Sequence, residues 1–258
     1  MSLRRSRAIA RNDLRLLARD PVPIVILTAM PLLLMAFIKP AYKYALEYLE
    51  GERYVNGAEQ AVPGMVVMFS FFLVATTGFA FFREHGWNTW DRIRATRCSP
   101  TELLIGKAMV PLAVALCHLT ALLILGGLLF DLRVRGSVAG IALLAVCLAV
   151  CQVAFALLLV VVCNTVLQFN VLANLGALLL AGLGGALTPI PILPGWARAV
   201  APGAPPYWAM RGLREAILRP GGIGEILLPA AVLLGFAVGF GALAIARFSV
   251  EESKTGWA

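Results

Sequence analysis

The strongest constraint on this chain is a set of six apolar runs with no Asp, Glu, Lys or Arg inside any of them: Pro21–Ile38, Pro63–Phe82, Ala108–Phe130, Val138–Cys163, Val171–Leu193 and Ile226–Ala246. A bilayer core of roughly 30 Å is crossed by about 20 residues of helix. Runs of this length predict an all-α integral membrane protein with six transmembrane helices. Of the 258 residues, 60% are hydrophobic and 14% charged, against roughly 45–50% and 25% in soluble domains. With a mean hydropathy of +0.85, no room is left for a large water-soluble domain. A soluble enzyme and a disordered binder are excluded.

The first run carries Pro21, Pro23 and Pro31 and is followed by Lys39-Pro40 rather than by a small-residue cleavage site, so it reads as a retained helix and not a signal peptide. An even number of spans puts both termini on one side. Thirteen Lys and Arg residues fall on that side, six of them in the tail before the first run, against nine on the other. The positive-inside rule then makes both termini cytoplasmic. The net charge of +8 is assigned to such loops and to lipid headgroups, not to nucleic acid.

Five cysteines, Cys98, Cys117, Cys147, Cys151 and Cys163, form no CxxC and no cluster with the two histidines, so no metal site is expected. All 14 carboxylates lie outside the span centres, and His118 is the only imidazole inside a span. Ion- or proton-driven transport usually needs a buried ionisable group. His118 reads better as an interhelical hydrogen-bond partner. No HExxH, GxSxG or P-loop occurs, since Gly106-Lys107 is followed by Ala108. No catalytic residue is therefore expected, and if ATP drives the protein, another polypeptide binds it.

Three segments stand out between the spans. Residues 1–20 predict an amphipathic helix, with Arg4, Arg7, Arg11 and Arg15 on one stripe and Leu3, Ala10, Leu14 and Leu17 on the next, ended by Asp20-Pro21. Such a helix lies in the inner interface. The loop 83–107 is short and basic, with Trp87, Trp90, Arg92, Arg94 and Arg97 suited to docking a soluble partner, and Ser99-Pro100-Thr101-Glu102 fits a capped helix start. From Gly182 to Leu218, Gly and Pro break an apolar stretch into short pieces, including Trp196–Val200 and Tyr207–Leu218. Broken apolar backbone at membrane depth requires burial in protein or a cavity lining; a plain outer loop with an aromatic belt is the other reading.

With these residues on the page, the chain resembles the permease subunits of ATP-binding-cassette type-2 exporters. The resemblance rests on the amphipathic start, the six spans, and the loop Glu84…Arg94-Ala95-Thr96…Ser99-Pro100…Leu104-Ile105-Gly106-Lys107. Its most specific part is Gly184-Gly185-Ala186-Leu187-Thr188-Pro189…Leu193-Pro194-Gly195-Trp196 followed by Pro205-Pro206-Tyr207-Trp208-Ala209-Met210-Arg211-Gly212-Leu213-Arg214. The resemblance implies a half-transporter that pairs with a second permease, a copy or a paralogue, and binds two cytoplasmic ATP-binding-cassette ATPase subunits. Those subunits would bind ATP and Mg; this chain would hold no cofactor. A coupling helix over Glu84–Arg97, with Glu84, Trp87, Trp90, Arg92, Arg94 and Arg97, would seat in the ATPase. The segment 189–219 would form short re-entrant outer helices between spans five and six, with Pro189, Pro194, Trp196, Tyr207 and Trp208 as an outer gate.

The substrate path is expected against spans two and five, lined by Met65, Met68, Phe69, Phe72 and Thr76 and by Gln168, Asn174 and Leu178. A path without buried charge suits a hydrophobic or amphipathic cargo, drug, antibiotic or lipid-like, better than an ion. Rival readings are a polysaccharide or teichoic-acid-like polymer exporter, a non-transporting membrane scaffold, and a secondary transporter that depends on His118. Spans three and four carry only Phe130 and Phe155, too few for an aromatic sugar ladder. Residues 1–20 are thus expected as a cytoplasmic helix, 21–246 as the transmembrane domain and 247–258 as a cytoplasmic tail, in what composition suggests is a bacterial cell membrane.

Overall fold

The computed structural model describes residues 22–49, 51, 55–86, 100–219 and 224–248. Among these residues there is no strand, and six helices are long and apolar enough to cross a membrane. In chain order the helices are α1 (Val22–Tyr44), α2 (Ala58–Gly86), α3 (Pro100–Phe130), α4 (Val138–Val162), α5 (Val166–Leu183), the short α6 (Gly195–Val200) and α7 (Pro205–Leu218), and α8 (Gly224–Arg247). The predicted N-terminal amphipathic helix lies outside the described residues.

Several boundaries differ from the sequence expectation, each for a local reason. Helix α1 does not stop before Lys39-Pro40; it runs to Tyr44 and continues as a π turn over Ala45–Leu49. The ammonium of Lys39 donates to the carbonyl of Phe130 at 2.7 Å, the negative end of α3, where a cation is favoured. Helix α2 starts at Ala58, five residues before the first residue of its charge-free run. Asn56 Oδ1 accepts from the Ala58 N–H at 2.9 Å, and Glu59 Oε2 accepts from the N–H groups of Asn56 and Gly57 at 3.1 and 3.0 Å. Those contacts satisfy donors that a helix start leaves open.

Helix α5 is Val166–Leu183, not Val171–Leu193. Thr165 Oγ1 accepts from the Gln168 N–H at 3.2 Å while Gln168 Oε1 accepts from the Asn164 N–H at 3.1 Å. This reciprocal arrangement resembles a capping box. The helix closes on Gly184, and Gly185 at φ +83 turns the chain away, a conformation that glycine adopts without penalty. Helix α3 begins at Pro100 and α4 spans its predicted run to within one residue, with Ser137 Oγ accepting from the Gly140 N–H.

Helix α2 is the central post, packing against α1, α3, α4, α5 and α7, while α8 lies along α4. Its apolar window is 89% buried, against 11% for α1 and 28% for α5. The outward faces of α1 and α5 are instead rows of exposed Val, Ile, Leu, Met and Phe, as lipid or a partner subunit requires. Close helix approach is bought by glycine at one crossing: a Cβ on Gly78 would collide with the ring of Phe169, and that ring also lies 5.5 Å from Phe82.

The helices run up and down, so residues 45–49, 55–57, 131–137 and 184–219 gather at one end, called the cap end below. The start of α1, the end of α2, the start of α3, residues 163–165 and the end of α8 lie at the opposite end.

Candidate functional site

The residues expected to line a path separate into two environments. On α2, Met65, Met68 and Phe69 are buried in the protomer core, whereas Phe72 and Thr76 are half-buried at its margin. Phe69 and Phe72 pack ring to ring at 5.5 Å. Thr76 donates its hydroxyl to the Leu73 carbonyl at 2.7 Å and lines a narrow cleft with Thr77, Pro111 and Gln152 between α2, α3 and α4.

On α5 the picture is open. Its inward row is small or aromatic, Phe169, Ala173, Ala177 and Ala181, all buried. Its outward row, Leu167, Val171, Leu172, Leu175, Leu178 and Leu179, is exposed. Gln168 is exposed beside it and Asn174 is half-buried. Asn174 Nδ2 donates to the side chain and carbonyl of Asn170 at 2.6 and 2.9 Å, so the polar groups of this helix are turned onto one another. At the α4–α5 turn, Val162, Cys163, Leu167, Gln168, Val171 and Leu172 form a lateral groove of about 380 Å³. The groove is shallow and open along its length, and its walls carry no charge. Sequence reasoning found Gln168 but not the groove, because residues 164–170, with Asn164, Thr165, Gln168 and Asn170, read as a link between two apolar runs, whereas Gln168 already lies in the first turn of α5 beside Val162 and Cys163.

The cap end is built on a polar joint that sequence reasoning missed. Gln60 is fully buried; its Nε2 donates to the Gly185 carbonyl at 2.8 Å and its Oε1 accepts from Arg214 at 3.4 Å. Tyr42 donates its hydroxyl to the Leu187 carbonyl at 2.7 Å. A Cβ on Gly64 would strike the Ala186 carbonyl. The turn after α5 is thus held by α1, α2 and α7 together. The loop 131–137 joins it, since the Arg135 N–H donates to the Ile217 carbonyl at 2.8 Å.

The five residues expected as a gate occupy this cap. Pro189 is buried and precedes the 3-10 turn Ile190–Ile192; Pro194 is exposed and precedes α6. Trp196 is 69% exposed on α6. Tyr207 and Trp208 meet edge to face at 5.3 Å at the start of α7. Trp208 Nε1 donates to the Pro202 carbonyl at 2.9 Å, and the Arg211 guanidinium sits 5.5 Å from its ring. Helix α7 rests on α2, α4, α5 and α8 and turns Arg211 outward.

At the opposite end, α2 continues to Gly86 and α3 begins at Pro100, so helix takes up both flanks of the 83–107 loop. Glu84 lies in the last turn of α2. Trp87, Trp90, Arg92, Arg94 and Arg97 lie outside the described residues. Glu102 and Lys107, early in α3, are buried. No group of three or more His, Cys, Asp or Glu that could hold a metal ion occurs among the described residues.

Against known proteins, a family model described as ABC-2 type transporter matches residues 5–218. The match takes in five spans and the cap and ends with α7. No curated protein matches the chain.

Proposed function

Since the chain belongs to the ABC-2 type transporter family, and so forms the membrane-spanning permease component of an ATP-binding-cassette transporter, we propose that it exports a hydrophobic or amphipathic small molecule. Its six apolar helices make it a multi-pass membrane protein, the matched family is the permease part that lacks the ATP-binding cassette, and the family implies a partner ATPase. The observation that carries the cargo reading is the uncharged α5 face and the 380 Å³ groove at its foot. An apolar wall with one amide, that of Gln168, accommodates a lipophile with a single polar group better than an ion or a hydrated sugar chain.

In this reading two permeases, copies or paralogues, face one another across α5, and two ATPase subunits dock at the end where α2 finishes and α3 begins. The termini and that end are cytoplasmic, in a bacterial cell membrane, with the cap outside. Closure of the ATPase dimer on ATP and Mg favours one arrangement of the permease helices, and hydrolysis releases it, because each nucleotide state binds one arrangement better. The segment Glu84–Arg97, with Trp87, Trp90, Arg92, Arg94 and Arg97, transmits the change. The path runs by Phe72, Thr76, Gln168 and Asn174, with Met68 and Phe69 packed behind them, and the cap with Pro189, Pro194, Trp196, Tyr207 and Trp208 closes its outer end as a re-entrant segment.

The test is ATPase activity of the permease reconstituted with its partner in proteoliposomes, titrated with lipophilic cations, amphiphilic antibiotics and lipid-like compounds. Stimulation by one of these that disappears when Val171→Trp fills the groove supports the reading. Stimulation only by lipid-linked oligosaccharide would give the polymer-exporter reading instead, and no response to either would leave the scaffold.

A further inference from the structure

Near the middle of α4, Gln152 is 2% exposed, and neither its Nε2 nor its Oε1 meets a protein hydrogen-bond partner among the described residues. A primary amide left in that condition inside an apolar bundle is strongly unfavourable, and a membrane supplies no bulk water to relieve it. The side chain lines the narrow cleft between α2, α3 and α4, which offers about 10 Å³ to water. That is close to the room one water molecule needs, and far below that of any cargo.

The other polar walls of the cleft are Thr76 and Thr77. Thr76 spends its hydrogen on the Leu73 carbonyl at 2.7 Å, which leaves its oxygen to accept. Thr77 reaches the same carbonyl only at 3.4 Å. Pro111 lines the third wall, from α3, and lacks an N–H to fill the space with a backbone bond.

We propose that Gln152 and the Thr76–Thr77 pair hold a single ordered water molecule in this cleft. Gln152 Nε2 donates to the water, and the water donates to a threonine oxygen. The bridge joins α2 to α4 beside α3 by an exchangeable polar contact where the surrounding packing is otherwise apolar. It does not depend on the cargo assigned above.

The experiment is hydroxyl-radical footprinting of the permease with its ATPase in lipid nanodiscs, since radicals formed from a trapped water oxidise the side chains beside it. Leu73, Val114 and Val153 line the cleft, whereas Leu119 and Leu122 are fully buried elsewhere. Oxidation of the first three several-fold above the last two is the result expected. Equal protection of all five would overturn the proposal using the unaltered protein alone. In Gln152→Leu the cleft signal should fall to the level of Leu119. Full labelling in a folded Gln152→Leu protein would show that Gln152 does not hold the water, and would equally overturn the assignment.

Discussion

His118 Nε2 on α3 lies 3.1 Å from the carbonyl oxygen of Leu27 on α1. Leu27 is one helical turn before Pro31, which has no N–H with which to pair that carbonyl. The imidazole therefore supplies the hydrogen bond that proline withholds, with the proton on Nε2, while Nδ1 meets no partner among the described residues. The only imidazole within a span is thus engaged in holding two helices together.

Replacing His118 by Leu should destabilise the protein by roughly 0.6–2 kcal/mol, the range of interhelical hydrogen bonds in membranes, and leave ATP-driven transport running. In a Pro31→Ala background the backbone pairs Leu27 itself, and the loss should shrink. A double-mutant cycle by thermal unfolding in detergent measures both. Abolished transport in a stably folded His118→Leu protein would revive the proton-coupled alternative.

Gln60 joins three elements of the cap, so Gln60→Leu strands the Gly185 carbonyl and removes a contact of Arg214. A loss of about 1–3 kcal/mol per stranded buried group is expected, seen as a lowered unfolding temperature. Tyr42→Phe removes one donor and should cost about 1 kcal/mol. Additivity of the two would show that the turn has two independent fastenings, and strong coupling that it has one.

Thr165 and Gln168 cap α5 at the edge of the groove. Thr165→Ala should lower stability by about 1 kcal/mol, whereas Gln168→Glu keeps an oxygen that can accept from the Asn164 N–H and should be mild in stability. The same Gln168→Glu change puts a charge in the groove wall and should weaken stimulation by lipophilic anions more than by cations. Stimulation unaltered for both would remove the groove from the path.

Reversing Arg92, Arg94 and Arg97 to Glu should uncouple ATP hydrolysis from transport while the six spans still insert, as cysteine accessibility can verify. Transport at the wild-type rate in that triple variant would end the coupling assignment.

What the sequence made legible were the features that local chemistry decides. Six spans follow from hydropathy, α3 starts at the Ser99-Pro100 signal, and α4 ends where its apolar run ends. Long-range contacts hid the rest. Nothing near Lys39 shows that its charge meets Phe130, 91 residues away, so α1 seemed to stop early. Thr165 and Gln168 do carry a readable cap signature, but the polar Gln168 and Asn170 after it made the fifth apolar run seem to begin only at Val171. For α2, nearly every position is apolar, so no stripe distinguishes core from path; Met68 and Phe69 turn out enclosed while Phe72 and Thr76 reach the margin. Gln60 was unreadable for the opposite reason, since it sits with Glu59 in what looks like a polar loop.

Phe169 and the three alanines above it, Ala173, Ala177 and Ala181, form one four-residue row on α5, with a single bulky tooth at its foot seated in the notch of Gly78. Sliding α5 along α2 by one turn, about 5.4 Å, would drive that ring out of the gap left by Gly78. Between that notch and the cap, α5 presents only small side chains to its neighbour, and beyond them Tyr42 and Gln60 fasten the turn at Gly184–Leu187. The helix is therefore keyed in register at its foot and tied at its head, with its smoothest contact in between.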